Sequence, residues 1–183
     1  MPGFRCSQLF WWYNMYADVD ASITPRPHYP ADGRKQFGLY SSPPGLHEQI
    51  EAQIGEFPFH GFWGPAAGIA SSRWIVECAM AEFQISRPHL QLIYLPHLDY
   101  SLQRVGPEHP SIADEVRAID HEVGRLLAFA EAQGAAVMLL SEYGIEAVAQ
   151  SVSINRVLRA EGLLQVRQSL SWEPVSYTHL RAH

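Results

Sequence analysis

The sequence has only two cysteines in 183 residues, Cys6 and Cys78. Two are too few for a disulfide framework, and they read as small buried hydrophobes in a reduced compartment. Positive charge is also scarce. Thirteen Lys and Arg stand against 19 Asp and Glu, a net charge of -6. That balance excludes the electrostatic footprint of a nucleic-acid binder or of a protein drawn to anionic lipid. No apolar run is long enough to span a bilayer, since even residues 135–140 (AAVMLL) stop after six. The first residues, Met1 to Arg5, carry no apolar h-region, so no signal peptide is visible and a cytoplasmic location is the expectation. What the chain does have is 47% hydrophobic residues against 17% charged, the composition of a globular domain. It also has nine histidines, but no pair has the H-E-x-x-H spacing of a metal-binding helix.

Turn formers crowd the first third. Seven of the 13 prolines lie between Pro25 and Pro65, and proline blocks regular pairing. Residues 1–66 therefore read as mostly irregular. The exceptions are a buried aromatic strand at 6–13 (CSQLFWWY) and a short helix at 46–54. The rest is either an excursion over the mouth of a site or a surface loop region packed by its own aromatics.

Regular structure is expected from there on. Ser71 and Ser72 read as N-caps of a helix whose Ile75, Ala79 and Phe83 repeat at four, ended by Arg87-Pro88. Residues 90–95 (LQLIYL) read as a buried strand and 96–110 as a long loop. A long helix follows Ser111. Asp114 and Glu115 occupy its first turn, and Ile112, Val116, Ile119, Val123, Leu126 and Ala130 form its apolar stripe. Gly134 is its stop, and 135–140 reads as a second buried strand. Strand, helix and strand make a βαβ unit, which predicts parallel pairing in an α/β fold with helices on both faces. A helix over 153–161, ended by Gly162, and a strand over 163–167 complete the pattern. The last nine residues, VSYTHLRAH, look like translated sequencing-adapter DNA, so 175–183 are expected to be non-native and His179 and His183 to carry no meaning.

Ligands of open parallel sheets bind beyond the carboxyl ends of the strands. One predicted strand runs into Pro96-His97-Leu98-Asp99-Tyr100 and the other into Ser141-Glu142-Tyr143-Gly144. If these strands are neighbours, about 4.8 Å apart, Asp99 and Glu142 share one site. Two carboxylates there can hold a cation, work as an acid and base pair, or simply cap helices and turns. On an alternating extended backbone His97 points the same way as Asp99, as a third ligand, a substrate contact or a structural residue. Gln103 offers a neutral oxygen that suits zinc poorly. Arg104 has the bidentate geometry for phosphate but is equally a surface charge.

The run Tyr94-Leu95-Pro96-His97-Leu98-Asp99-Tyr100-Ser101-Leu102-Gln103-Arg104-Val105-Gly106-Pro107 resembles the P-D-x-x-G-H-x-x-G-P motif of the nucleotide pyrophosphatase/phosphodiesterase family, within the alkaline phosphatase superfamily. Asp99 falls on a metal-binding aspartate, Gln103 on a metal-binding histidine, and Gly106-Pro107 on the closing pair. Residues 119–126 resemble the family's V-D-x-x-I/V-G-x-L helix. Residues 140–145 resemble its T/S-D-H-G-M segment, with Glu142 on a metal aspartate and Tyr143 on a metal histidine. The N-terminal part, 6–35, looks like a divergent branch found mainly in bacteria. The resemblance implies an alkaline-phosphatase-like α/β/α sandwich with a mostly parallel sheet, of which 1–174 form the central portion, cut at both ends. It implies a small phosphorylated substrate, two zinc ions, and a Thr or Ser nucleophile that lies upstream of the residues seen here. Nothing marks Thr24 as that nucleophile.

The departures matter as much. Gln103 and Tyr143 replace two nitrogen ligands, and Glu142 lengthens a third. Oxygen-rich coordination favours magnesium or manganese over zinc, or leaves no metal and a non-catalytic binding protein of the same fold. Tyr143 could then donate its hydroxyl to a phosphate. An unrelated α/β hydrolase is a weaker alternative, because the chain has no G-x-S-x-G elbow.

Overall fold

A computed structural model describes residues 3–31, 34, 36–167 and 175–178. They belong to two compact units, one of residues 1–26 and 39–147, the other of 27–38 and 148–183. No helix among the described residues is long and apolar enough to cross a membrane.

The first unit holds a four-stranded sheet in the order β3-β2-β1-β4. Strand β1 is Cys6–Leu9, β2 Ala21–Pro25, β3 Leu39–Ser42 and β4 Leu90–Ile93. β1 runs parallel to both β2 and β4, with Leu9 opposite Ile23 and Ile93, while β2 and β3 are antiparallel. The fold is α/β with a mostly parallel sheet, as the sequence predicts. Its strands differ from those expected. Three of the four come from the proline-rich first third. β2 is buried at Ala21, Ser22 and Ile23 in succession, the signature of a strand covered on both faces. The predicted strand over 6–13 stops at Leu9. Phe10, Tyr13 and Tyr16 then take left-handed φ values of 57, 58 and 62°, which turn the chain away from the sheet and leave Trp12 and Tyr13 exposed.

Helix α1, Leu46–Ile54, lies where 46–54 was predicted. It is followed by two 3-10 turns, Phe59–Gly61 and Gly64–Ala66. Helix α2, Ile69–Ser86, begins earlier than expected, at Gly68. Ser71 and Ser72 sit inside it, and the Ser71 hydroxyl donates back to the Gly68 carbonyl at 3.1 Å. The core joins Leu9, Ile23, Ile50 and Ile75 to a ring cluster. Phe57 touches Phe10, Phe59, Phe62 and Trp74 with centroids 4.9–5.2 Å apart. The aromatics of this stretch pack on one another as one expectation had it, but in the buried core and not in a surface loop.

Helix α3, His97–Val105, replaces the predicted loop. Asp99 in its first turn and Arg104 in its last complement the helix dipole, and Gly106 ends it at φ 81°. Helix α4, Ile112–Ala132, matches its prediction. Its N–H groups of Gly134 and Ala135 close on the carbonyls of Glu131 and Ala130, both at 2.9 Å, a Schellman stop. α4 packs against α2 and α3. The predicted stripe faces inward except at Val116, which is exposed, and the most buried residue of the helix interior is a charged one, Glu122.

The second βαβ strand does not form. Residues 135–140 are irregular, and Val137 to Leu140 are 53–81% exposed. A parallel strand needs cover on both faces. β4, its expected neighbour, is itself exposed at Leu90 and only half-buried beyond it.

In the second unit, α5 (Ile154–Ala160) precedes β5 (Leu164–Arg167), which pairs antiparallel with β6 (Val175–Thr178). His28 and Gln36 form an isolated antiparallel bridge. Of the nine tail residues only Val175–Thr178 are described, so His179 and His183 lie outside the described residues.

Candidate functional site

The carboxyl end of β4 delivers the site. Pairing with β1 continues one residue past the strand, where the Tyr94 N–H donates to the Leu9 carbonyl at 3.1 Å. The chain then crosses Leu95 and Pro96 into α3. Asp99 in the first turn of that helix comes back toward Tyr94, and the Tyr94 hydroxyl donates to Asp99 Oδ2 at 2.7 Å. The Tyr143 hydroxyl donates to Asp99 Oδ1, also at 2.7 Å. Both carboxylate oxygens therefore accept a phenol. On the far side of Tyr94 lies Trp12, ring centroids 6.1 Å apart.

The electrostatics hold both phenols protonated. Burial, then the hydrogen bond to Asp99 and its charge, push the Tyr94 hydroxyl far above the ordinary tyrosine range. Tyr143 is pushed up first by its hydrogen bond to Asp99, then by burial. Each serves Asp99 as a neutral donor throughout the physiological range.

Of the residues singled out from sequence, only Asp99 and Tyr143 meet. His97 does not join them. The expectation assumed a strand, where residues two apart share a face. On a helix they lie about 200° apart, and His97 turns into the α3–α4 seam. Its side chain is buried there with Nε2 2.9 Å from Glu115 Oε2, out of line for a hydrogen bond, and its Nδ1 has no partner among the described residues. Gln103, one helical turn beyond Asp99, is exposed. Arg104 is engaged structurally: its guanidinium donates to the Pro65 carbonyl at 2.8 Å and reaches the Ser101 hydroxyl at 3.4 Å. Glu142 points to solvent and makes no hydrogen bond or ion pair among the described residues.

Tyr94 and Trp12 were missed as site residues. The signal was available, because both stand at the carboxyl end of a parallel strand, which is where ligands gather. Also missed were two buried carboxylates in the body of the unit. Glu82, fully buried on α2, accepts from the Ser7 hydroxyl at 2.9 Å, from Gln91 Nε2 at 2.7 Å and from Ser86. It pins β1 and β4 to α2. Glu122 accepts from Arg73 Nε at 2.8 Å and from Arg125 at 2.6 Å, and Arg125 continues to Glu77 at 3.2 Å. Burial alone would raise its carboxyl, but the two guanidinium partners outweigh this and hold it below the usual carboxylate range. Both clusters are structural seams, away from the strand ends.

The donor set does not fit the two zinc ions that the motif resemblance implies. Zinc takes thiolate, imidazole or carboxylate, usually four ligands in all. Around Asp99 stand two protonated phenols and, one turn along the helix, an exposed amide. No three of His, Cys, Asp and Glu gather anywhere among the described residues. The expectation of Asp99 and Glu142 as shared ligands finds Asp99 committed to the tyrosines and Glu142 facing solvent.

Compared with known families, residues 2–182 match the model of type I phosphodiesterase / nucleotide pyrophosphatase. No curated protein and no solved structure matches the chain.

Proposed function

Because this chain belongs to the type I phosphodiesterase / nucleotide pyrophosphatase family, we propose that it serves as a hydrolase of small phosphoric esters, phosphodiesters and nucleotides among them. The observation that carries the reading is the position of Asp99. It belongs to a motif that carries metal-binding positions in that family, and it stands at the carboxyl edge of a parallel sheet beside two phenols. Asp99 is a fixed acceptor there, and Tyr94 and Tyr143 are neutral donors whose oxygens keep lone pairs for a ligand hydroxyl or water. The nucleophile is not among the residues this site gathers. Thr24, in β2 opposite Tyr40, has no partner among the described residues that would activate it.

One observation favours a second reading, a non-catalytic binding protein of the same fold. Both oxygens of Asp99 already accept phenols, and the histidine positions of the motif hold Gln103 and Tyr143. The two readings separate in one assay. The full chain is incubated with bis(p-nitrophenyl) phosphate and with ATP, in chelator and then with added zinc, magnesium or manganese. Turnover under any of these conditions, lost on point substitution at the site, supports the hydrolase. Saturable nucleotide binding by calorimetry with no turnover under all of them sinks it and leaves the binding protein.

A further inference from the structure

A carboxylate that serves zinc presents a lone pair about 2.0–2.2 Å from the ion, in company with other charged or imidazole ligands. Asp99 has no such company. Its neighbour along the helix face is the amide of Gln103, and His97, two residues away, is turned into α4 and buried against Glu115. Its direct partners are two O–H donors, each at 2.7 Å. Charge-assisted hydrogen bonds of this kind supply the positive end of a dipole to each carboxylate oxygen. The phenols thereby do electrostatically what a cation does in a metal site.

The second partner has a further effect. Tyr143 lies in the irregular stretch 135–147, which forms no strand and exposes Val137 to Leu140. The other side-chain hydrogen bond of this stretch, from the Ser141 hydroxyl to the Tyr143 carbonyl, is local. The bond from Tyr143 to Asp99 spans 44 positions of sequence and is the side-chain hydrogen bond that ties the stretch to α3.

We propose that Asp99 is the acceptor of a metal-free latch: the hydroxyls of Tyr94 and Tyr143 occupy its carboxylate in place of a cation, and Tyr143 thereby fastens residues 135–147 to the carboxyl edge of the sheet. This goes beyond the hydrolase reading and does not require it.

Two measurements on the full chain test the latch. In the first, terbium is titrated into the protein and its emission is read on excitation of the aromatics, with Trp12 and Tyr94 as the near sensitisers. Wild type and Asp99→Asn are expected to give the same weak, non-saturating signal. Emission that saturates at micromolar terbium, is displaced by zinc or manganese, and is lost in a folded Asp99→Asn overturns the proposal. In the second, a glutamate-specific protease reads cleavage after Glu142 and Glu146. Tyr143→Phe, with its circular dichroism unchanged, is expected to be cut several-fold faster, and added zinc should leave wild-type cleavage as it was. Equal rates in wild type and Tyr143→Phe, or zinc protection of the wild type, would sink the latch. The two readings fail separately. Metal-dependent hydrolysis lost in Asp99→Asn removes the latch and keeps the hydrolase, whereas a terbium-silent protein that turns over no ester does the reverse.

Discussion

Residues 57–79 and residues 135–147 lie in the same unit and are both rich in apolar side chains. Their fates are opposite. The first stretch supplies Phe57, Phe62, Trp74, Ile75 and Ala79 to the core. The second leaves Val137, Met138, Leu139 and Leu140 facing solvent. Apolarity is common to both, so it does not decide burial. What decides it is the surface each meets. The ring cluster folds onto α1, α2 and the turn after β1, each already apolar. The later stretch leaves a Schellman stop and forms no strand, its apolar side chains unpacked. The one strong contact that holds it is polar, Tyr143 on Asp99.

The largest effect is expected where the rings meet. Trp74 packs on Phe57 and Phe10 at 5.1 and 6.0 Å, and its indole N–H donates to the Gly55 carbonyl at 2.8 Å. Trp74→Ala opens a cavity and strands that carbonyl. The cost is about 3–5 kcal/mol, a large share of the stability of an ordinary domain. Urea unfolding followed by circular dichroism should show the midpoint fall by a large fraction of its wild-type value. A fall of less than about 1 kcal/mol would mean that the ring cluster is no more structural than 135–147, and the contrast would collapse.

The next effect sits in the seam between α2 and α4, where a carboxylate does what rings do elsewhere. Glu122 is held by Arg73 and Arg125, and its folded carboxyl lies below the ordinary glutamate value of 4.5. The sign follows by linkage. A depressed folded value means that the unfolded chain binds the proton more readily. The contribution to stability is therefore complete above the unfolded value and is lost as pH falls through the folded one. Both arginines are partly exposed, so solvent screens the pair and the contribution is at most about 2 kcal/mol. Urea midpoints between pH 6 and pH 3 should decline more steeply in wild type than in Glu122→Gln. Parallel declines would remove Glu122 from the acid response.

Much of this was written in the sequence, and the omissions have physical causes. α4 was legible because its stripe, its first-turn acids and Gly134 all agreed. α3 was hidden because Pro96, Gly106, Pro107 and Pro110 look like loop punctuation. Yet Pro96 precedes the first turn and Gly106 ends the last, the positions helices allow them. That error propagated: reading His97 and Asp99 on a strand put them on one face, while the helix sends them to opposite sides. β2 and β3 were hidden because proline density masks short strands, and a strand of four or five residues carries little periodicity of its own. The site was half legible. Asp99 and Tyr143 came from motif positions, but the bond between them did not, because the spacing of residues 44 apart says nothing about which oxygen meets which hydroxyl. The covalent order also suggested a strand at 135–140 that only a covered neighbouring edge could have stabilised.

The smallest expected effect probes that stretch directly. Leu139 and Leu140 are 73% and 72% exposed, so replacing both with serine removes little apolar surface from any interior. Substitutions at such surface positions usually change stability by no more than about 0.5 kcal/mol. Leu139→Ser with Leu140→Ser should therefore leave the urea midpoint within error of wild type. It should also lower self-association, because a contiguous exposed apolar run favours contact with another chain. Light scattering at matched concentration reads the second effect. A stability loss above about 2 kcal/mol, the range of a buried leucine, would show that 135–140 is packed against the unit in solution. The contrast between the two apolar stretches would then fail, and the polar bond from Tyr143 would no longer be what holds this one in place.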